Sequence, residues 1–330
     1  MQDKLAELIK KTLTGEEISR DEYAVLIAPE TETYDLLYGA HLLREHYKGD
    51  AIDLCAIVNA KSGKCAEDCA FCAQSARHSA DVKTYPLLSA EVIEAASAEA
   101  AAIGAHHFGI VASGESPTDS EVRRIAKAVQ YVREKSGLPV DVSLGRLTRQ
   151  QLRTLHEAGV RRIHCNLETS ERFFPKICTT HSWQSKVETL RAAKAEGFEL
   201  CSGGLFGMGE TWQDRLDLAL SLKDLAVDSV PLNFLAQVPG TPLSGAKALS
   251  PLECLRIIAL FRYILPQKDI RVCGGRAVNL RALQSWIFYA GANAAMIGNY
   301  LTTPGNPPEE DLQMIRDLGL KARNDKVGDC

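Results

Sequence analysis

Runs of apolar and β-branched residues recur along the chain, and each is followed by a longer segment with apolar residues at helical spacing. Several longer segments begin at a Ser or Thr cap and end at Gly, as TRQQLRTLHEAG (148–159) does. Strands that alternate with helices predict a parallel sheet, and eight such units predict a closed (β/α)8 barrel of the TIM type. The eight predicted strands are IDLCAIV (52–58), HHFGIVA (106–112), PVDVSL (139–144), RRIHCNL (161–167), FELCSGG (198–204), SVPLNFL (229–235), IRVCGG (270–275) and NAAMIG (293–298).

Helical patterns also occur at both ends of the chain, outside the eight units. DLLYGAHLLREHY (35–47) predicts an N-terminal helical cap over residues 1–50. The barrel would span 51–305, and PEEDLQMIRDLG (308–319) predicts a C-terminal helix followed by a tail, over 306–330. Because no linker interrupts the pattern, we expect one structural domain.

Polar residues share one parity along several predicted strands. In RRIHCNLE, His164, Asn166 and Glu168 alternate with apolar positions, and alternate residues of a barrel strand face opposite sides. A polar interior is unusual, because Val, Ile and Leu ordinarily fill such barrels. The pattern therefore predicts a deep substrate or cofactor cavity. The other residues expected to face inward are Asp53, Cys55, Asn59, His107, Gly109, Asp141, Ser143, Glu199, Cys201, Ser229, Asn233, Arg271 and Cys273.

Composition narrows the class of partner. The 330 residues are 45% hydrophobic with a formal charge of −4 and no long basic run, which gives no electrostatic footprint for nucleic acid or membrane lipid. The opening MQDKLAELIKKTL lacks the apolar core of a signal peptide, and no stretch is apolar enough to span a membrane. We therefore expect a cytoplasmic protein whose ten cysteines are free thiols or metal ligands.

Three cysteines form a C-x3-C-x2-C motif, Cys65, Cys69 and Cys72, directly after the first predicted strand. That position is the first loop on the C-terminal face, where barrel enzymes carry out their chemistry. Three thiolates can anchor three irons of a four-iron cubane and leave the fourth iron open. The alternative is a structural zinc loop in which His78 supplies the fourth ligand.

This motif resembles that of the radical S-adenosylmethionine superfamily. The resemblance implies a [4Fe-4S] cluster whose open iron binds S-adenosylmethionine and generates an adenosyl radical. The resemblance also implies that the adenosyl ligand meets residues after the second and fourth strands and on the following helix. These are Ser113, Gly114 and Glu115 near the methionyl amino group, Asn166 and Glu168 at the adenosyl group, and Lys186 near the carboxylate.

Further segments are similar to the biotin synthases, in order and spacing, from about residue 61 to 319. They include SGKCAEDCAFCAQSARH, CNLETS followed by ICTTHSW, CSGGLFGMGET, VPLNFL followed by PGTPL, and YLTTPG. The resemblance implies radical sulfur insertion into dethiobiotin, an electron donor such as flavodoxin or ferredoxin, and a homodimer. It implies that Asn166 and Asn233 bind the ureido ring and that Thr302 and Thr303 bind the carboxylate. The alternative for each residue is an ordinary structural role.

The chain departs from this family at a second cluster. Most biotin synthases hold two irons deep in the barrel with three cysteines and an arginine. Here the first two cysteine positions are Gly109 and Asp141, while Cys201 and Arg271 remain, both of them expected to act in catalysis. The usual two-iron cluster therefore cannot be built in the usual way.

Two family serine positions are cysteines in this chain, Cys55 and Cys273. With Cys201 they make three inward thiols beside the fixed cation of Arg271. We expect them to hold an auxiliary cluster of four irons with an additional sulfide on the iron that lacks a thiolate, and that sulfide would be given to the substrate. The alternative is that these cysteines are merely small buried residues. Asp141 or His107 could supply a fourth ligand.

The remaining cysteines are expected to be structural. Cys165 has outward parity and should pack against a helix, and Cys178, Cys254 and Cys330 are expected to be structural or incidental. Two rival functions stay open at this stage. One is another radical enzyme of the same barrel type, in hydrogenase cofactor maturation or amino-acid rearrangement, and the other is a non-enzymatic iron–sulfur electron carrier.

Overall fold

The computed structural model describes residues 3–323. Cys330, with the outermost parts of the predicted segments 1–50 and 306–330, lies outside the described residues. All strand pairs are parallel, and eight strands close into a barrel in the order β1-β2-β3-β4-β5-β7-β8-β9-β1. The predicted eight-stranded barrel is therefore confirmed. The strands are β1 Ala51–Lys61, β2 His107–Ala112, β3 Val140–Ser143, β4 Val160–His164, β5 Glu199–Cys201, β6 Gly204–Phe206, β7 Ser229–Phe234, β8 Asp269–Val272, β9 Ala294–Met296 and β10 Lys321–Ala322.

The fifth predicted run divides into two short strands, β5 and β6. β5 continues the barrel, whereas β6 pairs with the outer part of β7. Between them the backbone passes so close to β7 that a Cβ at Gly203 would lie 1.9 Å from the carbonyl oxygen of Pro231. Only glycine fits at this distance, so the Gly203-Gly204 pair of the sequence marks a close approach of two chain segments.

Helices cover the outside of the barrel, and their starts follow from the sequence. Thr118 and Thr211 each accept a hydrogen bond from a backbone NH of the first turn, in capping boxes with Glu121 and Asp214. No helix within residues 3–323 is both long and apolar enough to cross a bilayer. The helices are α1 Asp3–Thr14, α2 Arg20–Tyr23, α3 Thr33–Lys48, α4 Ala90–Ala102, α5 Asp119–Lys135, α6 Arg149–Glu157, α7 Trp183–Ala195, α8 Trp212–Asp224, α9 Pro251–Ile264, α10 Arg276–Leu280, α11 Trp286–Tyr289 and α12 Pro308–Asp317.

Helix α3, in the predicted N-terminal cap, packs directly on α9. The contact is closest at Gly39, where a Cβ would lie 1.9 Å from the hydroxyl of Tyr263. That hydroxyl donates a hydrogen bond to the carbonyl of Leu36 at 3.3 Å. Arg262, also on α9, is fully buried and donates to backbone carbonyls that include those of Gly291 and Pro266, each at 2.7 Å. These contacts tie the N-terminal helices to the barrel wall.

The barrel closes between β1 and β9 over a short stretch. The first half of β1 pairs with β9 at Asp53, Leu54 and Cys55, whereas β2 pairs with β1 from Cys55 outward to Lys61. Beyond Cys55 the chain that follows β9 leaves the ladder. There the side-chain amide of Asn59 donates to the carbonyl of Leu301 at 3.2 Å. This seam opens toward the C-terminal mouth of the barrel.

Candidate active site

A cavity of about 400 Å³ occupies the C-terminal part of the barrel interior. Most of the predicted inward positions line it, so the expectation of a polar lumen is confirmed for them. They are Cys55, Gly109, Asp141, Ser143, His164, Asn166, Glu168, Cys201, Asn233, Arg271 and Cys273.

Five other residues that were predicted to face the cavity do not line it. Four of them, Asp53, His107, Glu199 and Ser229, stand at or near the start of their strands, below the cavity. The fifth, Asn59, is bound to Leu301 at the seam. Strand parity predicts the side of a strand but not the depth at which the lumen ends, and this explains the error.

The floor of the lumen is an ionic network around Asp53. Its Oδ2 accepts a hydrogen bond from Nη2 of Arg271 at 2.9 Å and lies 3.4 Å from Nε2 of His107. The other oxygen lies 3.4 Å from Nδ1 of His106. Burial alone would raise the pKa of Asp53, but Arg271 and the two histidines outweigh it and hold the pKa well below its usual range. The network closes the barrel below the cysteines.

Three lumen cysteines surround the guanidinium of Arg271. Cys55 lies on β1, Cys201 on β5 and Cys273 directly after β8, and all three are buried. Burial raises the pKa of Cys55 and of Cys201 to about 11, and burial together with the neighbouring Cys55 thiol raises that of Cys273 well above its ordinary value. Burial lowers the pKa of Arg271, but Cys55, Asp53 and the other two thiols outweigh this effect, so the guanidinium stays charged.

The motif cysteines lie in the loop after β1, and Cys72 lines the same cavity whereas Cys65 and Cys69 do not. The loop is closed on itself, because the NH of Cys65 donates to the carbonyl of Gln74 at 3.1 Å and the NH of Cys72 donates to that of Cys69 at 2.9 Å. Cys72 and Gln74 line the cavity. His78, the candidate zinc ligand, instead has Nε2 3.0 Å from the backbone carbonyl oxygen of Cys69.

A second loop, which contains Cys178, Thr179 and Thr180, packs against the motif loop, and sequence analysis did not predict this contact. Asp68 accepts hydrogen bonds from the NH groups of Thr179 at 2.9 Å and Thr180 at 3.2 Å. The thiol of Cys178 lies 3.8 Å from that of Cys69, which gives Cys178 a structural place beside the motif, one of the two roles expected for it. The hydrogen bond from Cys69 lowers the pKa of Cys178 to about 4. Cys178 belongs to the segment ICTTHSW, which is similar to the biotin synthases. The sequence does not show that this segment contacts the motif, because Cys69 and Cys178 are 109 residues apart.

Cys165 also differs from its prediction. It is buried in the hydrophobic core as expected, but it lines the cavity as well. β4 ends at His164, so the alternation of a pleated strand no longer applies at the next residue. The sequence rule fails here because the strand is shorter than the apolar run.

The residues that the resemblance implies for the adenosyl ligand fall into two groups. Asn166, Glu168 and Lys186 line the cavity. Glu168 has φ 68°, a left-handed conformation that is costly outside glycine, and its NH and carbonyl are held by Gly203 and Leu205. Burial raises the pKa of Glu168. Burial acts in the opposite direction on Lys186, but Cys165 and Glu168 outweigh it and raise that pKa.

The second group, Ser113, Gly114 and Glu115, does not line the cavity. The hydroxyl of Ser113 donates to the carbonyl of Gly63 at 2.7 Å, and Glu115 pairs with Arg146. The segment is thereby fixed beside the motif loop.

The residues implied for dethiobiotin all line the cavity. Asn233 uses Oδ1 to accept from the NH of Gly274 at 3.0 Å and uses Nδ2 to donate to the carbonyl of Gly204 at 3.3 Å. Thr302 and Thr303 lie in the segment after β9, near the seam. The structure thus brings these residues, together with Asn166, to one cavity.

The donor set fits iron–sulfur clusters. Nη1 of Arg271 and Oδ1 of Asp141 are buried, and neither has a hydrogen-bond partner among residues 3–323. A buried polar atom without a partner costs about 1–3 kcal/mol, so a polar guest in the lumen would be stabilised there. Soft thiols at both ends of the same cavity are the ligands that iron–sulfur clusters take.

Two family models match the chain. Residues 60–222 match the radical SAM superfamily, and residues 231–321 match the Biotin and Thiamin Synthesis associated domain. Among curated relatives, the biotin synthase of Geobacter metallireducens is 50% identical over 100% of this chain and 99% of its own length. That of Thermodesulfovibrio yellowstonii is 50% identical over 88% of this chain and 92% of its own length.

Solved structures share the fold at low sequence identity. Methylornithine synthase has a TM-score of 0.84 at 22% identity and covers 96% of this chain and 97% of its own. The FeFe-hydrogenase maturase HydG from Carboxydothermus hydrogenoformans has a TM-score of 0.81 at 17% identity, over 96% of this chain and 78% of its own. At such identities these likenesses establish the barrel type alone.

Proposed function

The chain belongs to the biotin synthase family of radical S-adenosylmethionine enzymes, and from this premise we propose how its own residues divide the work. Membership implies a four-iron cluster, S-adenosylmethionine and dethiobiotin. Among the proteins compared above, no relative of about 50% identity supports either rival function, another radical enzyme or an electron carrier. The proposal assigns a role to individual residues, describes the second cluster and identifies the source of the inserted sulfur.

Cys65, Cys69 and Cys72 hold the radical-generating cluster in this proposal. When bound, that cluster would supply the one-electron chemistry by which S-adenosylmethionine yields an adenosyl radical for hydrogen abstraction. The motif loop is fixed by its own backbone hydrogen bonds, so the three thiols need little ordering on cluster binding. Lys186 and Glu168 offer the ligand a cation and an acceptor within the cavity. The segment 113–115 meets its methionyl amino group in this proposal.

Cys55, Cys201 and Cys273 hold an auxiliary cluster of four irons that carries an additional sulfide, the sulfur source. The observation that carries this proposal is that these three thiols and Cys72 line one cavity. A substrate held between them would face the radical on one side and the sulfur on the other. Arg271 offsets the negative charge of thiolates and sulfide, and Asp53 holds its guanidinium in place.

In this proposal Asn233 and Asn166 position the ureido ring of the substrate. Thr302 and Thr303 position its carboxylate. The amide of Asn233 is fixed at both ends by backbone groups, so it presents a set orientation to a ring of the same hydrogen-bonding type. Asp141 is the better candidate for a further iron ligand than His107, because Asp141 lines the cavity and His107 does not.

The enzyme would act as a cytoplasmic homodimer reduced by flavodoxin or ferredoxin. The nine cysteines of residues 3–323 are all free, which supports a reducing compartment. The dimer and the electron donor are supported by resemblance to the family.

Measurement of iron content tests the assignment of the cysteines to two separate clusters. A Cys65→Ala, Cys69→Ala, Cys72→Ala variant should keep about four irons per chain, the content of one cubane. A Cys55→Ala, Cys201→Ala, Cys273→Ala variant should also lose one cubane and no longer form biotin, while it still produces 5′-deoxyadenosine. Cys254→Ala is the matched control, because Cys254 is equally buried but lies on α9. Loss of all iron in the first variant would refute the second cluster.

Turnover tests the reaction. Anaerobic enzyme with dethiobiotin, S-adenosylmethionine and a reductant should form biotin and 5′-deoxyadenosine. Deoxyadenosine without biotin would contradict the substrate, and absence of both would contradict the enzyme class.

A further inference from the structure

Cys178 and His181 stand against the motif loop, and the mechanism above uses neither of them. The thiol of Cys178 is 3.8 Å from that of Cys69, and its distances to the two ring nitrogens of His181 are 3.2 and 3.8 Å. The ligand atoms of Cys69, Cys178 and His181 all lie within 4.8 Å of one another. Cys178 is buried, whereas the other two residues are partly exposed and can be reached from solvent.

These distances match the shape of a single tetrahedral metal ion. With zinc–sulfur bonds of about 2.3 Å, two thiolates on one zinc ion lie about 3.8 Å apart, and a thiolate and an imidazole nitrogen lie about 3.6 Å apart. A four-iron cluster instead separates its cysteines by the width of a cubane. The pair Cys69–Cys178 therefore has the spacing of a mononuclear site.

The surroundings of His181 complete the arrangement. Nδ1 of His181 contacts the carboxylate of Glu67, and Nε2, 3.8 Å from the Cys178 thiol, is the nitrogen that remains to bind an ion. A carboxylate on the second imidazole nitrogen fixes the tautomer and orients the ring in many zinc sites. Glu67 itself is buried and belongs to the motif loop, so it fixes the ring relative to Cys69.

We propose that the cluster-free chain binds one thiophilic divalent cation, zinc above all, through Cys69, Cys178 and His181, with water at the fourth position. Cys69 cannot serve this ion and the radical cluster together, so zinc competes with cluster assembly. The zinc site stands on geometry alone, whereas the competition rests on the proposed function of Cys69.

Zinc affinity of the cluster-free full chain, measured anaerobically against a chromophoric zinc chelator, tests the site. One zinc ion per chain is expected. Cys178→Ser should weaken binding at least tenfold, while Cys65→Ser, which removes a motif cysteine outside the site, should leave the affinity within about twofold. His181→Asn provides a second variant, and circular dichroism checks the fold of each.

Two results would overturn the site: unchanged affinity in Cys178→Ser and His181→Asn, or a loss in Cys65→Ser as large as in Cys178→Ser. The second result would mean that zinc binds the three motif cysteines instead.

Iron uptake tests the competition separately. Equimolar zinc should slow cluster assembly in the wild-type chain and leave it unchanged in Cys178→Ser. Equal slowing of both would overturn the competition but not the site. If Cys69→Ser still built the radical cluster without zinc, the proposed function would fail, whereas the zinc affinities would stand.

Discussion

Asp53 is the residue on which the floor of the lumen depends, because its carboxylate compensates the buried charge of Arg271. Both side chains are 3% exposed, so water cannot replace the missing partner if one is removed. The cysteines above this pair depend on it for a fixed neighbouring cation.

Asp53→Asn keeps the shape of the side chain and removes its charge. We expect a loss of about 3–5 kcal/mol in the free energy of unfolding, because Arg271 is left buried and uncompensated. Denaturant unfolding of the cluster-free chain measures this loss. Asp50→Asn is the control, since Asp50 pairs with Lys321 on the surface, where solvent screens the pair, and its replacement should change the free energy of unfolding far less. Similar losses in both variants would contradict the prediction.

The same carboxylate predicts a dependence on acid. The folded pKa of Asp53 lies well below its usual value, so its contribution to stability is present above about pH 4 and declines as the pH falls further. The wild-type free energy of unfolding should therefore fall more steeply below pH 4 than that of Asp53→Asn. Parallel curves would show that other carboxyl groups account for acid sensitivity.

Lys186 is expected to govern affinity for S-adenosylmethionine. Lys186→Met removes a cation that lines the cavity, and loss of a partner for the methionyl carboxylate should weaken binding at least tenfold. Equilibrium binding to the reconstituted enzyme measures the effect. Lys194→Met, on the exposed side of the same helix, should bind normally. An equal change in both variants would refute the role of Lys186.

Secondary structure elements account for both the successes and the errors of sequence analysis. All eight barrel strands follow from apolar runs separated by capped helices, since these are local patterns. The split of the fifth run at Gly203 and the position of Cys178 beside Cys69 come from contacts between distant segments. Parity identified which cysteines point inward, but it fails at Cys165, where the strand has already ended.

The contact between α3 and α9 gives a prediction at this scale. Alanine is ordinarily the better helix former, by about 1 kcal/mol over glycine, but Gly39→Ala should destabilise the protein by about 1–3 kcal/mol because its Cβ meets the Tyr263 hydroxyl. Thermal unfolding measures the change. Adding Tyr263→Phe to Gly39→Ala should restore part of the loss. A stabilising effect of Gly39→Ala alone would contradict this packing.

Across the whole molecule, the C-terminal helix is connected to the mouth of the barrel. Arg276, which follows β8, forms a buried ion pair with Asp311 of α12. Asp311 also accepts a hydrogen bond from Asn306 at 3.2 Å, just beyond the segment with Thr302 and Thr303. The helix therefore holds the chain that covers one side of the cavity.

Asp311→Asn should weaken the attachment of the segment that contains Thr302 and Thr303 and covers one side of the cavity. We expect several-fold weaker dethiobiotin binding together with a lower free energy of unfolding, because Arg276 loses its buried partner. Iron content should not change, since the cysteines lie on other elements. Asp317→Asn, at the exposed end of α12, is the control, and isothermal titration with dethiobiotin measures both variants. Lost iron in Asp311→Asn would point to general unfolding instead.

The short seam between β1 and β9 leaves the outer half of β1 unequally attached to its two neighbours. To part β1 from β2, the barrel would have to break a ladder that runs from Cys55 to Lys61. To part β1 from the chain beyond β9, it releases the hydrogen bond between Asn59 and Leu301. The chain beyond β9 is therefore the less firmly attached neighbour of the outer half of β1, and it can shift while β1 and β2 keep their register.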